Sequence, residues 1–245
     1  MPVPKPRYAL FCDEAGGPAD LSRSLAVVSG PLDRLLSLEQ DLRQALQLSG
    51  QAEMKWSNLR KRPASLRAAG LALELATAAA HKGGVHFQLW YWETRSQPKA
   101  WNRLGEPDRM QEVYAKLLPR AVRSWRRGRW LLLPDQRTGV YWKVLQRTMG
   151  KDWRKAGAQI SGLYPVDSRK WALVQCCDLL AGLLRHSYAG GREAHEPGAA
   201  AHHNRQSLLQ SLLHMSHGRK LGLGARHGLQ GKGKKFSVIR VKRWV

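Results

Sequence analysis

Acidic residues are scarce in this chain of 245 residues. It contains 18 Asp and Glu against 41 Lys and Arg, which gives a formal net charge of +23 at pH 7. No acid follows Glu196, so residues 197–245 contribute only positive charge. Such an excess favours a polyanionic partner, and we expect this partner to be nucleic acid, either DNA or RNA. A basic surface that contacts only solvent is the alternative.

Cysteine and long apolar runs are also scarce, and each scarcity excludes a class of protein. Three cysteines, of which Cys176 and Cys177 are adjacent, form neither a disulfide framework nor a Cys-x-x-Cys zinc site. We expect this adjacent pair to be small core residues. No apolar run approaches the length of a membrane span, and residues 1–6 contain no apolar signal core. These absences predict a cytoplasmic protein of a prokaryotic cell, without a membrane partner.

The most informative acid that is present is Asp178, because it lies inside an apolar run. Between Trp171 and Leu184, Gln175 and Asp178 are the polar residues. Residues three apart share a face of a helix. Burying an ionised carboxylate is costly unless it has a partner or binds a metal. Asp178 therefore predicts a functional site on one face of this helix.

Two further acids follow short apolar runs that are typical of buried strands. Asp13 follows the run 8–12 and Asp135 follows the run 130–134, and a glycine comes soon after each acid. Open α/β sheets bind ligands at the carboxyl ends of their strands. The alternative is that each Asp only starts a turn. Taken together with Asp178, these residues favour three carboxylates that converge on one site.

These motifs resemble the DUF3800 family of ribonuclease H-like proteins. The resemblance spans about residues 7 to 188, and its short motifs occur in the family's order. They are Phe11-Cys12-Asp13-Glu14-Ala15-Gly16, Glu53-Met54-Lys55-Trp56-Ser57, Asp135, Val166-Asp167-Ser168 and Gln175-Cys176-Cys177-Asp178-Leu179. Ala15 departs from the pattern, because the family usually has Ser there. The resemblance implies an α/β fold with a ribonuclease H-like mixed sheet flanked by helices, and a metal site.

The resemblance also implies how the acids would act. Asp13, Glu53, Asp135 and Asp178 would be the catalytic residues and the ligands of Mg²⁺ or Mn²⁺, with Asp13 between two ions. Two such ions on carboxylate oxygens can hydrolyse a phosphodiester bond. The prediction is a metal-dependent nuclease that acts on DNA or RNA. The alternative is a non-cleaving nucleic-acid-binding subunit or adaptor of a larger nucleoprotein complex.

Three neighbouring residues are secondary candidates. Glu14 should point away from Asp13 if the strand alternation continues. Lys55 would contact a scissile phosphate or pair with a carboxylate of the site. Asp167 is expected first of all to be the N-cap of the helix that carries Asp178.

Basic residues at two places are candidate contacts to nucleic acid. One set ends a predicted helix over 107–126, where arginines alternate with tryptophans, and the other lies in the glycine-rich stretch 218–235. Basic residues among aromatics suit phosphate contacts and base stacking, although a solvated basic face has the same composition. The candidates are Arg120, Arg123, Arg126, Arg127, Lys232, Lys234 and Lys235.

The remaining patterns predict one ribonuclease H-like domain over 1–196 and a basic C-terminal segment over 197–245. That segment should end in a strand over 236–244, packed on the edge of the same domain's sheet. Pro119 should kink or divide the helix over 107–126. Other apolar patterns predict strands over 24–29 and 85–92, the former in a hairpin with the first strand, and helices from Pro31 and over 64–81.

Overall fold

The computed structural model describes residues 5–60, 63–123, 125, 128–136, 140–188 and 236–241. These residues form an α/β fold with a six-stranded mixed sheet and helices on both faces. The strands are β1 (Tyr8–Ala15), β2 (Ser22–Pro31), β3 (His86–Glu93), β4 (Gly128–Pro134), β5 (Ala158–Leu163) and β6 (Phe236–Arg240). The helices are α1 (Leu32–Leu48), α2 (Pro63–Lys82), α3 (Glu106–Val122), α4 (Trp142–Lys155) and α5 (Ala172–Tyr188).

The strand order in the sheet is β5-β4-β1-β2-β3-β6. β1, β2 and β3 pair antiparallel in sequence, which confirms the predicted hairpin. β4 pairs in parallel with β1, and β5 pairs in parallel with β4. Over Phe236–Arg240 the predicted C-terminal strand is confirmed as β6, which pairs in parallel with β3, and residues 242–245 lie outside the described part of the chain. β1 and β4 therefore end side by side at the same edge of the sheet.

Alternate residues of β1 enter two different cores. Ala9 and Phe11 belong to the core beneath α1, α2 and α5, whereas Leu10 and Cys12 belong to the core beneath α3 and α4. Successive side chains of a strand point to opposite faces of the sheet. Asp13 consequently lies on the α5 side of the sheet.

A side chain of α1 caps the N-terminus of α5. Glu39 is only 4% exposed, and its carboxylate accepts the N–H groups of Ala172 at 3.0 Å and Leu173 at 2.7 Å. The first N–H groups of a helix have no partner within the helix, and negative charge is favoured beside them. Arg43 holds the same carboxylate through Nε at 2.6 Å. This buried acid, which the sequence patterns did not single out, fixes α5 against α1.

Helix α3 ends earlier than predicted, and of the two effects expected of Pro119, a kink or a division, the division is absent. It runs through Pro119 without being divided, and it ends at Val122 rather than at residue 126. Proline has no N–H to donate to the carbonyl one turn earlier, so the last turn of the helix is weakened. The helix therefore ends within one turn of Pro119, and Arg123 lies just beyond it.

Two elements, α4 and β5, were not predicted from the sequence. The buried face of α4 consists of Leu145, Met149 and Trp153, which are spaced four apart. None of the helices within the described ranges is long and apolar enough to cross a membrane. Within the C-terminal segment, β6 joins the sheet of the same unit, and residues 197–235 lie outside the described part of the chain.

Candidate active site

Asp13 and Asp135 lie beside each other at the carboxyl ends of β1 and β4. The N–H of Asp135 donates to the carbonyl of Cys12 at 2.9 Å, which continues the parallel pairing to this point. Asp13 is buried, with 8% of its surface exposed, and its Oδ1 accepts the N–H of Glu14 at 2.7 Å. Asp135 accepts hydrogen bonds from the side chain and backbone of Ser168. The predicted pairing of these two acids at one sheet edge is confirmed.

Helix α5 presents Gln175 and Asp178 on one face, as predicted, and both bind the segment 53–57. The amide of Gln175 accepts the N–H of Met54 at 2.7 Å and donates to the carbonyl of Ser168 at 2.9 Å. Asp178 Oδ2 accepts the N–H of Trp56 at 2.8 Å. The two polar side chains of the apolar run thus fix the backbone of this segment against α5.

Gly182 lies one turn further along the same face, where the indole of Trp56 covers it. A Cβ at this position would lie 2.2 Å from Trp56 Cγ, so no larger residue fits without displacing the indole. The Trp56 ring also packs against His186, with ring centroids 5.9 Å apart. Gln175, Asp178 and Gly182 therefore form one docking face for the segment 53–57.

The acids at the sheet edge and on α5 surround one cavity of about 360 Å³. Asp13, Asp135 and Asp178 line it, together with Lys55 from the docked segment. Arg185 also lines it and pairs with Asp20 at 3.2 Å. Three of the four predicted catalytic acids thus share a single space.

The carboxylates surround this space without forming a preassembled coordination sphere. No group of three or more His, Cys, Asp or Glu side chains within the described ranges lies close enough together to hold a metal ion. Metal binding by these acids therefore stays a prediction.

Burial raises the pKa of Asp178 to about 6, because desolvation disfavours the ionised carboxylate. The N–H of Trp56 and the ammonium of Lys55 oppose this rise in the pKa. The nearby carboxylates of Asp135 and Glu53 add to it by repulsion. Asp178 therefore gains a proton at a higher pH than an ordinary aspartate does.

Burial also raises the pKa of Asp135 above its usual value. Hydrogen bonds from Ser168 and from the backbone of Gln136 oppose this rise, because they favour the ionised form. The surrounding protein therefore disfavours the ionised forms of both Asp135 and Asp178. An additional positive charge in the cavity would favour their ionised forms.

Glu53, the fourth predicted ligand, forms an ion pair with Lys55, whose Nζ lies 3.1 Å from Oε1. This hydrogen bond raises the pKa of Lys55, and the charges of Asp178 and Asp135 raise it further. Of the two roles predicted for Lys55, pairing with a carboxylate is therefore the one present in this structure. The ammonium group places one positive charge at the wall of the cavity.

Two of the secondary candidates have partners of their own. Glu14 is among the residues that line the cavity, but its carboxylate accepts a hydrogen bond from the hydroxyl of Tyr114 in the opposite core, so the expectation that it points away from Asp13 is confirmed. Asp167 was predicted to cap the Asp178 helix, and this was wrong. It caps the short 3₁₀ turn Ser168–Lys170 by accepting the N–H of Arg169, because Glu39 already occupies the N-terminus of α5.

The arginines at the end of α3 lie far from the cavity. Arg120 and Arg123 are close to Trp125, whose ring contacts Tyr8 at the start of β1 with centroids 5.7 Å apart. Asp13 lies five residues further along β1, which corresponds to roughly 16 Å. The other predicted contacts lie outside the described residues: Arg126, Arg127, Lys232, Lys234 and Lys235.

Gln175 and Trp56 organise the site, although the sequence patterns assigned neither a role. Gln175 carried the same signal as Asp178, namely a polar residue in an apolar run. Trp56 belongs to the motif over 53–57, but neither its backbone N–H bond to Asp178 nor the contact of its indole with Gly182 can be read from that motif. Arg185 links α5 to the carbonyl of Ser22 at 3.2 Å. Nothing in the sequence around it separates it from the many other basic residues of the chain.

No protein-family model matches the chain, and no curated protein is significantly similar to it. The resemblance to the DUF3800 family consequently depends on the short motifs alone, and the function has to be inferred from the site.

Proposed function

We propose that this protein is a divalent-metal-dependent nuclease that hydrolyses phosphodiester bonds of DNA or RNA. One observation carries the proposal: Asp13 and Asp135 end neighbouring parallel strands, and Asp178 of α5 faces the same cavity. Ligand sites of open α/β sheets lie at this edge. The net charge of +23 supports a polyanionic substrate.

The strand arrangement supports a ribonuclease H-like fold. β1, β2 and β3 pair antiparallel in this order, with α1 and α2 between β2 and β3, and β4 and β5 add in parallel on the other side of β1. This order is typical of ribonuclease H-like sheets. In the proposed fold, the acid at the end of the first strand occupies the centre of the site, which is the position of Asp13.

The donor set fits Mg²⁺ or Mn²⁺ in its chemistry. Carboxylate oxygens are the ligands that these hard cations prefer. Asp13, Asp135 and Asp178 would hold the ions, and Glu53 would join them once its ion pair with Lys55 opens. When bound, such ions polarise a phosphoryl oxygen and lower the pKa of a water molecule.

The residues of the chain itself orient these acids. Ser168 holds Asp135, and the N–H of Trp56 holds one oxygen of Asp178. Gln175 joins both sides of the cavity, since it binds Met54 and the carbonyl of Ser168. A site held in this way keeps its carboxylates in fixed directions, which catalysis by positioned groups requires.

A cleavage assay tests this proposal. Labelled single-stranded and double-stranded DNA, RNA and a hybrid duplex are incubated with the wild type and with Asp13→Asn, in Mg²⁺ or Mn²⁺. We expect the wild type to cleave at least one substrate and Asp13→Asn to be slower by about a thousandfold, since metal-assisted charge stabilisation is worth several kcal/mol. Asp33→Asn, which removes an exposed acid of α1, is the matched control. Equal cleavage by wild type and Asp13→Asn would show that these carboxylates are not the active site.

A second candidate function is a nucleic-acid-binding subunit that does not cleave. The observation in its favour is that Asp178 and Glu53 already have partners within the protein, the N–H of Trp56 and the ammonium of Lys55. A site with only a structural role would show the same contacts. Tight binding of an oligonucleotide by the wild type, with no cleavage in either metal, would favour this candidate.

A further inference from the structure

Tyr164 follows β5 and lies with its ring against the sheet. It is 58% exposed, which is unusual for a large aromatic residue beside a sheet. A Cβ on Gly162 would lie 2.3, 2.9 and 3.0 Å from Cε2, Cζ and Oη of this ring. The ring therefore occupies the space that a side chain at residue 162 would need. The ring thus packs on the backbone of Gly162 while more than half of the residue's surface stays exposed.

The register of the sheet places this ring on the same face as the candidate active site. The N–H of Val166 donates to the carbonyl of Pro134 at 2.9 Å, and Val166 forms a parallel bridge with Asp135. Tyr164 consequently lies beside Leu133, which packs in the core on the α5 side. Because alternate residues share a face, Tyr164 and Asp135 are on the same face, two residues or roughly 7 Å apart along the strands.

Positive charge lies on the same part of the molecule. Arg129 of β4 donates Nε–H to the hydroxyl of Ser161 at 3.1 Å, next to the β-bulge between β4 and β5. Lys170 and Arg169 are exposed and follow Ser168, which binds Asp135, although the guanidinium of Arg169 pairs with Asp167 at 2.9 Å. An aromatic ring among basic side chains is the combination that binds single-stranded nucleic acid, by base stacking and by phosphate contacts.

We propose that Tyr164 is a stacking platform for an unpaired base of the substrate strand. The ring lies over Gly162, which pairs with Leu131, so it is four residues or roughly 13 Å from Asp135 along the strands. This separation corresponds to about four stacked nucleotides between this base and the phosphate in the cavity. A base in a duplex is already stacked and paired, so the platform selects a single-stranded or locally opened segment. The inference rests on the proposed function, because it takes the strand to be the substrate of the Asp13 and Asp135 site.

Binding measurements in an Asp13→Asn background test the platform without cleavage. Fluorescence anisotropy is recorded with a short labelled single strand and with the same sequence as a duplex. Adding Tyr164→Ala should weaken single-strand binding by about 5- to 150-fold, the range for loss of one stacked base. Tyr164→Phe should bind like the parent, because it keeps the ring. Gly162→Ala should lose affinity like Tyr164→Ala, because its Cβ displaces the ring. Tyr141→Ala, which removes a tyrosine that is 63% exposed, is the matched control.

The outcomes separate this inference from the proposed function. If the parent binds neither oligonucleotide, both the nuclease proposal and the platform are wrong. If it binds the single strand and Tyr164→Ala binds equally well, the platform alone is overturned. The platform is also overturned if Tyr164→Phe binds as weakly as Tyr164→Ala, or if the loss is as large for the duplex.

Discussion

Replacing Asp178 by Asn should remove a large part of the pH dependence of this protein's stability. Burial raises the pKa of Asp178 to about 6, compared with the ordinary value of 3.8. Since the pKa in the folded state lies above that in the unfolded state, the folded protein binds this proton more tightly. The resulting stabilisation is fully present below about pH 4 and is lost as the pH rises through about 6.

The magnitude follows from the difference between the two pKa values. A difference of about two pH units corresponds to about 3 kcal/mol between the fully protonated and fully ionised limits. Between pH 4.5 and pH 8, linkage gives about 2 kcal/mol of this amount. Asn has nearly the same volume and its Oδ1 can still accept the N–H of Trp56, so the variant should keep the hydrogen bond and lose only the titration.

The assay is urea unfolding of wild type and Asp178→Asn at several pH values, in EDTA. We subtract the free energy of unfolding of the wild type from that of Asp178→Asn at each pH. This difference should be about 2 kcal/mol more positive at pH 8 than at pH 4.5, because the variant lacks the carboxylate that destabilises the wild type at high pH. Asp33→Asn on the exposed side of α1 controls for loss of one surface charge. A difference between variant and wild type that is the same at both pH values would refute the assignment of a buried, destabilised carboxylate.

Two further changes test the contacts that hold the site. Gly182→Ala should destabilise the protein by roughly 1–3 kcal/mol, because its Cβ overlaps Trp56. Gly70→Ala in α2, with open space around it, is the control and should stabilise the protein by roughly 0.5–1 kcal/mol. Thermal unfolding measures both variants, and equal shifts of their melting temperatures would contradict the Trp56 contact. Glu39→Gln should lower the free energy of unfolding by about 1–3 kcal/mol, because an amide NH₂ cannot accept the α5 N–H groups. Chemical unfolding measures this loss, with Asp41→Asn at an exposed position as the control. A loss of stability no larger than that of the control would exclude the cap.

The positions of Asp13 and Asp135 were predictable because each follows a short run of apolar residues. Such runs form buried strands, and parallel pairing then brings their ends together. The face shared by Gln175 and Asp178 was predictable for a related reason, since two polar residues stand out in an apolar helix. Their partners were not predictable, because the N–H of Trp56 lies 122 residues away in sequence and a backbone group leaves no mark in the sequence pattern.

Other elements differ in how much signal they carry. The stripe Leu145, Met149 and Trp153 has the helical spacing that predicts α4, so this helix could have been found. The sequence of β5 gives little indication of a strand, because it contains Gly162 and a bulge interrupts its pairing with β4. Glu39 lies among polar residues of α1, where nothing in the sequence separates a buried acid from its exposed neighbours. The expectation of a ribonuclease H-like topology came from the resemblance of the motifs rather than from any single pattern.

The pairing of β6 with β3 has a consequence for the synthesis of this protein. About 140 residues separate the end of β3 from the start of β6. At about 5–20 residues per second, the ribosome needs roughly 7–30 s to make the chain between them. During this time the outer edge of β3, with Trp90, Tyr91 and Trp92 in its sequence, has no strand beside it from β6. The nascent chain therefore exposes the backbone N–H and C=O groups of this edge, which can pair with strands of other chains.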